Sequence, residues 1–166
     1  NSKETWKKVW VYKTMTTNRR SEIVDNILIP ELKKINGGTS TFDSSYTYNT
    51  NLFNNVFRGV KFLDEVNDFP AIYLAAGTEI RDFESLSLTV ATLDVTIRAY
   101  VYGEDNSQSL ADDLIQDIEH VIYSLGDNPD KGVQDIIIDS ITVDEGLVEP
   151  YGLAEVILQI AYRLEN

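Results

Sequence analysis

Leu93-Asp94-Val95-Thr96-Ile97-Arg98-Ala99-Tyr100-Val101-Tyr102, residues 93–102, carries the pattern that decides the fold. Leu93, Val95, Ile97, Ala99 and Val101 alternate with Asp94, Thr96, Arg98, Tyr100 and Tyr102, which is the period of a β-strand with one buried face. Gly103 ends the strand, and the period then becomes that of a helix. Leu110, Leu114, Ile118, Val121, Ile122 and Leu125 form one stripe with Ile115 beside it, and Gly126 supplies the stop. Ser107 is placed to cap the start, with Asp112 and Asp113 near the positive end of the helix dipole. A half-buried strand followed by a one-faced helix predicts a sheet with a helix packed on it.

Downstream, Val133–Val143 reads as a strand with Ile137, Ile141 and Val143 on one face and Ile136 and Ile138 on the other. That two-sided apolar content predicts a central or doubly covered strand. The last segment alternates Ala154, Val156, Leu158, Ile160, Tyr162 and Leu164 against Glu155, Gln159 and Arg163. Upstream, Phe69-Pro70 opens a strand Ala71-Ile72-Tyr73-Leu74, which Gly77 is expected to turn into a second one, Thr78–Phe83. Ile23, Val24, Ile27, Leu28, Leu32 and Ile35 recur at helical spacing and predict a helix over residues 19–36, capped by Asn18 or Ser21 and stopped by Asn36-Gly37-Gly38. Pro30 should kink or divide it. Before it, Trp6, Val9, Trp10 and Tyr12 form an aromatic patch expected to pack on the core or on a neighbour.

Residues 37–69 fit neither period. They are rich in Asn, Ser and Thr yet carry Phe42, Tyr46, Tyr48, Phe53, Phe57 and Phe62. So long a stretch without regular structure is uncommon in a compact domain unless it has a function, and disorder would be poor in aromatics. It reads either as a hairpin folded on its own domain or as a protruding arm ordered by a partner, with Phe42, Tyr46, Tyr48, Phe53, Phe57 and Arg58 as the contact residues. The predicted class is α/β (α+β): a mixed or antiparallel sheet of about four to six strands, two main helices packed on it, and this long arm. No internal repeat or linker divides the chain, so residues 1–166 are read as one domain.

Charge is placed unevenly. Residues 1–103 carry 12 Lys+Arg and 12 Asp+Glu, whereas residues 104–166 carry 2 basic groups, Lys131 and Arg163, against 15 acidic ones. The second half therefore accounts for the whole net charge of −13. No basic face for nucleic acid can be built from it. It reads as a solvating surface, or as one that meets a basic partner or lets a polyanion slide past.

Little chemistry is available. The chain has no cysteine, which excludes disulfides, thiolate metal sites and cysteine nucleophiles. Its one histidine, His120, falls on the polar side of the second helix beside Gln116 and Asp117 and reads as a solvated surface residue. Asp127-Asn128-Pro129-Asp130-Lys131-Gly132 lacks the bidentate acid of a calcium loop, because position 138 is Ile138, and reads as a turn. There is no phosphate-binding glycine loop. Neither a cofactor nor an enzymatic activity is expected. No apolar run approaches the roughly 18 residues of a membrane span, and Asn1-Ser2-Lys3-Glu4 does not open a signal peptide, so a cytoplasmic setting is expected.

Several strings carry a family resemblance: Val56-Phe57-Arg58-Gly59-Val60, Asp68-Phe69-Pro70-Ala71-Ile72-Tyr73, Gly77-Thr78-Glu79, the strand Leu93–Tyr102, and Glu104-Asp105 ahead of the amphipathic helix from Leu110 to Glu119. With the order of elements, they resemble the tail terminator (tail completion) proteins of tailed bacteriophages. The resemblance implies a virion protein assembled in the host bacterial cytoplasm, whose copies form a hexameric ring. Such a ring caps the tail tube, ends its polymerisation, joins a neck or head-completion protein, and lets double-stranded DNA pass without specific binding. Under it, the 37–69 arm would reach a neighbour or the tube protein. Asp112, Asp113, Asp117, Asp144, Glu145 and Glu149 become candidate acids of the bore or ring surface. The alternatives are another neck, head–tail connector or sheath-terminator component, and a small α/β binding or enzymatic domain.

Overall fold

The computed structural model describes residues 19–126 and 133–165. The aromatic patch Trp6–Tyr12, the candidate cap Asn18 and the turn Asp127–Gly132 lie outside the described residues.

The chain folds into one five-stranded mixed sheet with two helices on one face. The strands are β1 (Val56–Arg58), β2 (Ala71–Ser85), β3 (Leu88–Tyr102), β4 (Asp135–Val143) and β5 (Tyr151–Glu165). Their order across the sheet is β1-β2-β3-β5-β4, with β1 parallel to β2 and every other pair antiparallel. Helix α1 is a single rod made of Arg19–Glu22, Ile23–Leu28 and Ile29–Leu32, and α2 spans Ser107–Gly126. α2 lies across β3, β5 and β4, while α1 lies against β1 and β2.

Alternation in β3 behaves as its sequence predicts. Ala91, Leu93, Val95, Ile97, Ala99 and Val101 are buried beneath the helices, and Ala154, Val156, Leu158, Ile160 and Tyr162 of β5 lie beside them. Leu114, Ile118, Val121, Ile122 and Leu125 close this core from above. Gly152 is what lets α2 approach: a Cβ there would come within 2.8 Å of the Ser107 carbonyl oxygen. On the opposite face, among the described residues, a smaller cluster forms of Val66, Ala71, Tyr73 and Tyr100, with Leu63, Phe69 and Leu153 packed against it. Phe62 and Leu63 line a pocket there with Arg98, Tyr100 and Leu153, and Arg98 and Glu155 pair across this face at 3.3 Å.

Four features differ from the sequence reading. α1 ends at Leu32 rather than at residue 36, and it accommodates Pro30 without breaking. Residues 23–28 widen into a π turn, in which the Ile29 N–H reaches back to the Val24 oxygen, just before the ring that would crowd an ordinary helix. Ser107 opens α2 but does not cap it with its hydroxyl. The first intrahelical bond instead runs from the Leu110 N–H to the Asn106 oxygen. Gly77 is no turn: β2 continues through it, with a register shift between Ala76 and Glu79 that marks a bulge. β4 is an edge strand, not a central one, so Ile137, Ile141 and Val143 are exposed while Ile136 faces the core.

The long antiparallel hairpin β2–β3 is the largest surprise. Every side chain from Ile80 to Ser87 is exposed, with Phe83 near the end of β2 at 81% and Leu86 in the turn at 100% exposure. At its root, Glu79 binds the hydroxyl of Tyr162 on β5 and the side chain of Arg81, while Arg20 of α1 reaches the Gly77 oxygen at 2.7 Å. Burial works to raise the Glu79 pKa, but the bonds from Tyr162 and Arg81 and the nearby guanidinium charges outweigh it and hold it below the ordinary value of 4.5. A carboxyl depressed on folding contributes stability that is full above its unfolded value and is lost as pH falls through the folded one. Glu79→Gln should therefore melt several degrees below wild type at neutral pH. The gap should close as the medium is acidified below 4.5, as read by thermal unfolding across that range. A gap of constant size would refute the assignment.

Candidate functional site

The described residues present three places where side chains converge or stand free: the segment laid over α2, the hairpin tip, and the two edges of the sheet.

Residues 36–58 are folded onto the body instead of projecting from it. Two isolated bridges, Asn36 with Asn51 and Thr39 with Thr47, fold the segment back on itself. Tyr48, Leu52 and Val56 insert into the main core, and Phe42 and Tyr46 pack at its margin. The fastening point is Asp117, fully buried on α2. Its Oδ1 accepts from the Tyr46 hydroxyl at 2.7 Å and the Asn49 N–H at 3.0 Å, and its Oδ2 accepts from the Thr50 N–H at 2.8 Å. Beside it the His120 ring stacks on Tyr46 at 3.8 Å, and its Nε2 lies 2.7 Å from the Ser40 hydroxyl. Burial, and then the hydrogen bond to Asp117, raise the Tyr46 pKa well above the ordinary tyrosine value, so the phenol stays a donor.

This corrects two readings. Asp117 is not a bore-facing or surface acid, because its carboxylate is consumed by the backbone and phenol of the clasp. His120 is not a solvated histidine but a packed element of that clasp, with Phe42 and Tyr48 edge-on to it. A signal for Asp117 was present in the sequence. It lies three residues after Leu114 and four before Val121, on the buried stripe itself, where an acid needs partners.

The arm residues divide accordingly. Phe42, Tyr46 and Tyr48 turn inward, whereas Phe53, Phe57 and Arg58 turn outward. Phe53 holds its ring in solvent from a left-handed backbone, with φ of 50° followed by 61° at Asn54, an uncommon conformation for a bulky residue. Phe57 stands at the β1 edge against Tyr73, with ring centroids 5.4 Å apart. Beside them lies a groove of about 390 Å³ lined by Phe57, Val60 and Tyr73 and by the polar Arg58, Lys61, Asn67 and Asp68. Arg58 is tied to Asp25 of α1 at 2.9 Å.

Of the remaining acids, Asp112, Asp144 and Glu145 come together around a groove of about 340 Å³ between α2 and the β4–β5 turn, and Asp113 and Glu149 are not part of its lining. Asp112 and Asp113 sit on the outer side of α2, half-exposed or exposed. Asp144, Glu145 and Glu149 belong to the β4–β5 turn at the far edge of the sheet. There the Asp144 Oδ1 accepts from the Leu153 N–H at 3.2 Å. Glu145 and Gly146 both adopt left-handed backbone, φ 57° and 81°, which throws Leu147 outward to 86% exposure.

The Ser40 hydroxyl that meets His120 is buried inside the clasp, and the open groove lined by Asp112, Asp144 and Glu145 holds no metal-binding cluster among the described residues. What these places offer is exposed apolar anchors on a rigid body, which is the chemistry of association. Among the described residues no helix is long and apolar enough to cross a membrane.

A family model described as "Bacteriophage Tail Tube Terminator Protein" matches residues 17–166. Over 128 residues the chain is 30% identical to the tail tube terminator protein p142 of Escherichia phage T5, covering 70% of this chain and 79% of that protein. A chain from the solved virion of a native gene transfer agent particle aligns with a TM-score of 0.49 and 11% identity, over 86% of this chain and 98% of that one.

Proposed function

Since the chain belongs to the bacteriophage tail tube terminator family, we propose that six copies of it close into a ring that caps the tail tube, ends its polymerisation and offers the head-joining surface. It is a structural component of the phage tail, and no catalytic step enters this reading. The observation that carries the capping role is the β2–β3 hairpin. Its distal part carries Ile80, Phe83 and Leu86 exposed at 59%, 81% and 100%, apolar anchors on both faces of the ribbon and at its turn. The partner assigned to that tip is the tube protein, and the neck or head-completion protein meets the other side of the ring.

The acidic half of the chain supports the passage of DNA. Acids lining a bore repel phosphates and keep the genome from adhering as it slides. Asp112 and Asp113 on the outer side of α2 remain candidates for that lining, whereas Asp117 is not available to it. Assembly would take place in the host cytoplasm.

Electron microscopy of the protein mixed with tail tubes tests the reading. A six-fold ring with an axial opening, seated on one tube end, is the expected image. Decoration along the tube wall, or bare ends beside single subunits, would overturn it.

A further inference from the structure

Resting on the ring reading, we infer that neighbouring copies are joined by a knob and a socket. The knob is Leu147 with Glu145 and Glu149 on the β4–β5 turn. The socket is the Phe57–Val60–Tyr73 groove with Lys61 on the β1 side of the next copy.

Each half is incomplete alone. Leu147 is a large apolar side chain left 86% exposed by a turn that holds it outward. The turn is braced by bonds from the Leu147 N–H to the Asp144 oxygen at 3.1 Å and from the Tyr151 N–H to the Val148 oxygen at 2.9 Å. Such bracing lowers the ordering cost of binding. Its flanking acids, Glu145 and Glu149, are exposed, and neither has a basic partner among the described residues. The groove offers the complement. Phe57, Val60 and Tyr73 supply its apolar part, Arg58 and Lys61 set two basic groups against one acid, Asp68, and its volume is about 390 Å³. Lys61 makes no ion pair with a carboxylate among the described residues. The Lys61 ammonium lies 5.7 Å over the Tyr73 ring instead.

Position excludes the other pairings. The strand order β1-β2-β3-β5-β4 places groove and knob at opposite edges of one sheet, so no copy can fill its own groove. Two knobs face to face would set Glu145 and Glu149 against their own kind, and like charges across an interface disfavour that partner. Knob into socket is heterologous, the kind of contact whose repetition closes a ring. Ile141 on β4 is exposed where it can widen the apolar contact.

The lack of native cysteine makes a covalent test clean. Val60→Cys and Leu147→Cys single variants, each checked for an unchanged melt, are mixed and oxidised. A covalent dimer should form from the mixture and not from either variant alone, and the double variant should give a ladder of higher species. Leu147→Ala should also raise the concentration for half-assembly about tenfold or more, as loss of a central apolar anchor does. Pairing Lys61→Glu with Glu145→Lys should restore what either reversal weakens. If wild type forms rings by native mass spectrometry while no cross-link appears and Leu147→Ala assembles normally, the knob and socket are wrong and the ring stands. Should wild type stay monomeric with tubes present, the ring reading itself fails.

Discussion

Asp117→Ala should lower the melting temperature by roughly 10 °C or more, the largest loss expected from any single polar substitution in the molecule. Its carboxylate is fully buried and accepts from a phenol and two backbone N–H groups. Bonds to a charged acceptor contribute about 1.5–3 kcal/mol each, and donors stranded in the interior cost more than the bond itself. Alanine leaves Tyr46, Asn49 and Thr50 without their acceptor, a loss on the order of 3–5 kcal/mol after partial rescue by water. The damage should be local first. Amide exchange in residues 38–58 should accelerate well before that of β3 and β5, because the segment is held to α2 by this residue and by the stacked His120. A melt within two or so degrees of wild type, with unchanged exchange in the segment, would remove Asp117 from its assigned place.

Phe83→Asp combined with Leu86→Asp should leave folding intact and abolish tube termination. Both side chains stand in solvent beyond the core, so their replacement should change stability by no more than about 0.5 kcal/mol each. If the tip is the surface that meets the tube, each is an apolar anchor worth about 2 kcal/mol or more in binding, and a buried aspartate adds a desolvation cost. The concentration needed to halt tube growth should then rise by a factor of about 30 or more per site. Tails made with the variant should be overlong and variable in length by electron microscopy. Normal lengths would assign capping to another surface.

How far the sequence revealed this depends on which force placed each residue. β3, β5 and α2 were legible because one face of each is buried and the other is not, which stamps a period on the chain. The distal hairpin was not, since from Ile80 to Ser87 neither face is covered and no alternation is imposed. Gly77 was misread for a related reason. A lone glycine inside a strand marks a bulge as readily as a turn, and only its partners on β3 decide. In residues 37–58 the inward and outward aromatics follow no fixed spacing, because the segment is shaped by the Asn36–Asn51 and Thr39–Thr47 bridges and by Asp117, a residue roughly seventy positions away. The three isoleucines 136–138 correctly signalled two apolar faces. One of them faces out at the sheet's edge, where the sequence implied a covering layer of the same chain.

The bulge at Gly77–Thr78 divides β2 into two jurisdictions. Behind it, side chains answer to the core and are fixed by packing. Ahead of it, from Ile80 to the turn, the side chains of β2 stand exposed, with Arg81 held by Glu79. Substitutions there are nearly free of folding consequences, so this stretch can track changes in whatever it grips while the body stays as it is. A lineage could in this way adopt a new tube without relearning how to fold.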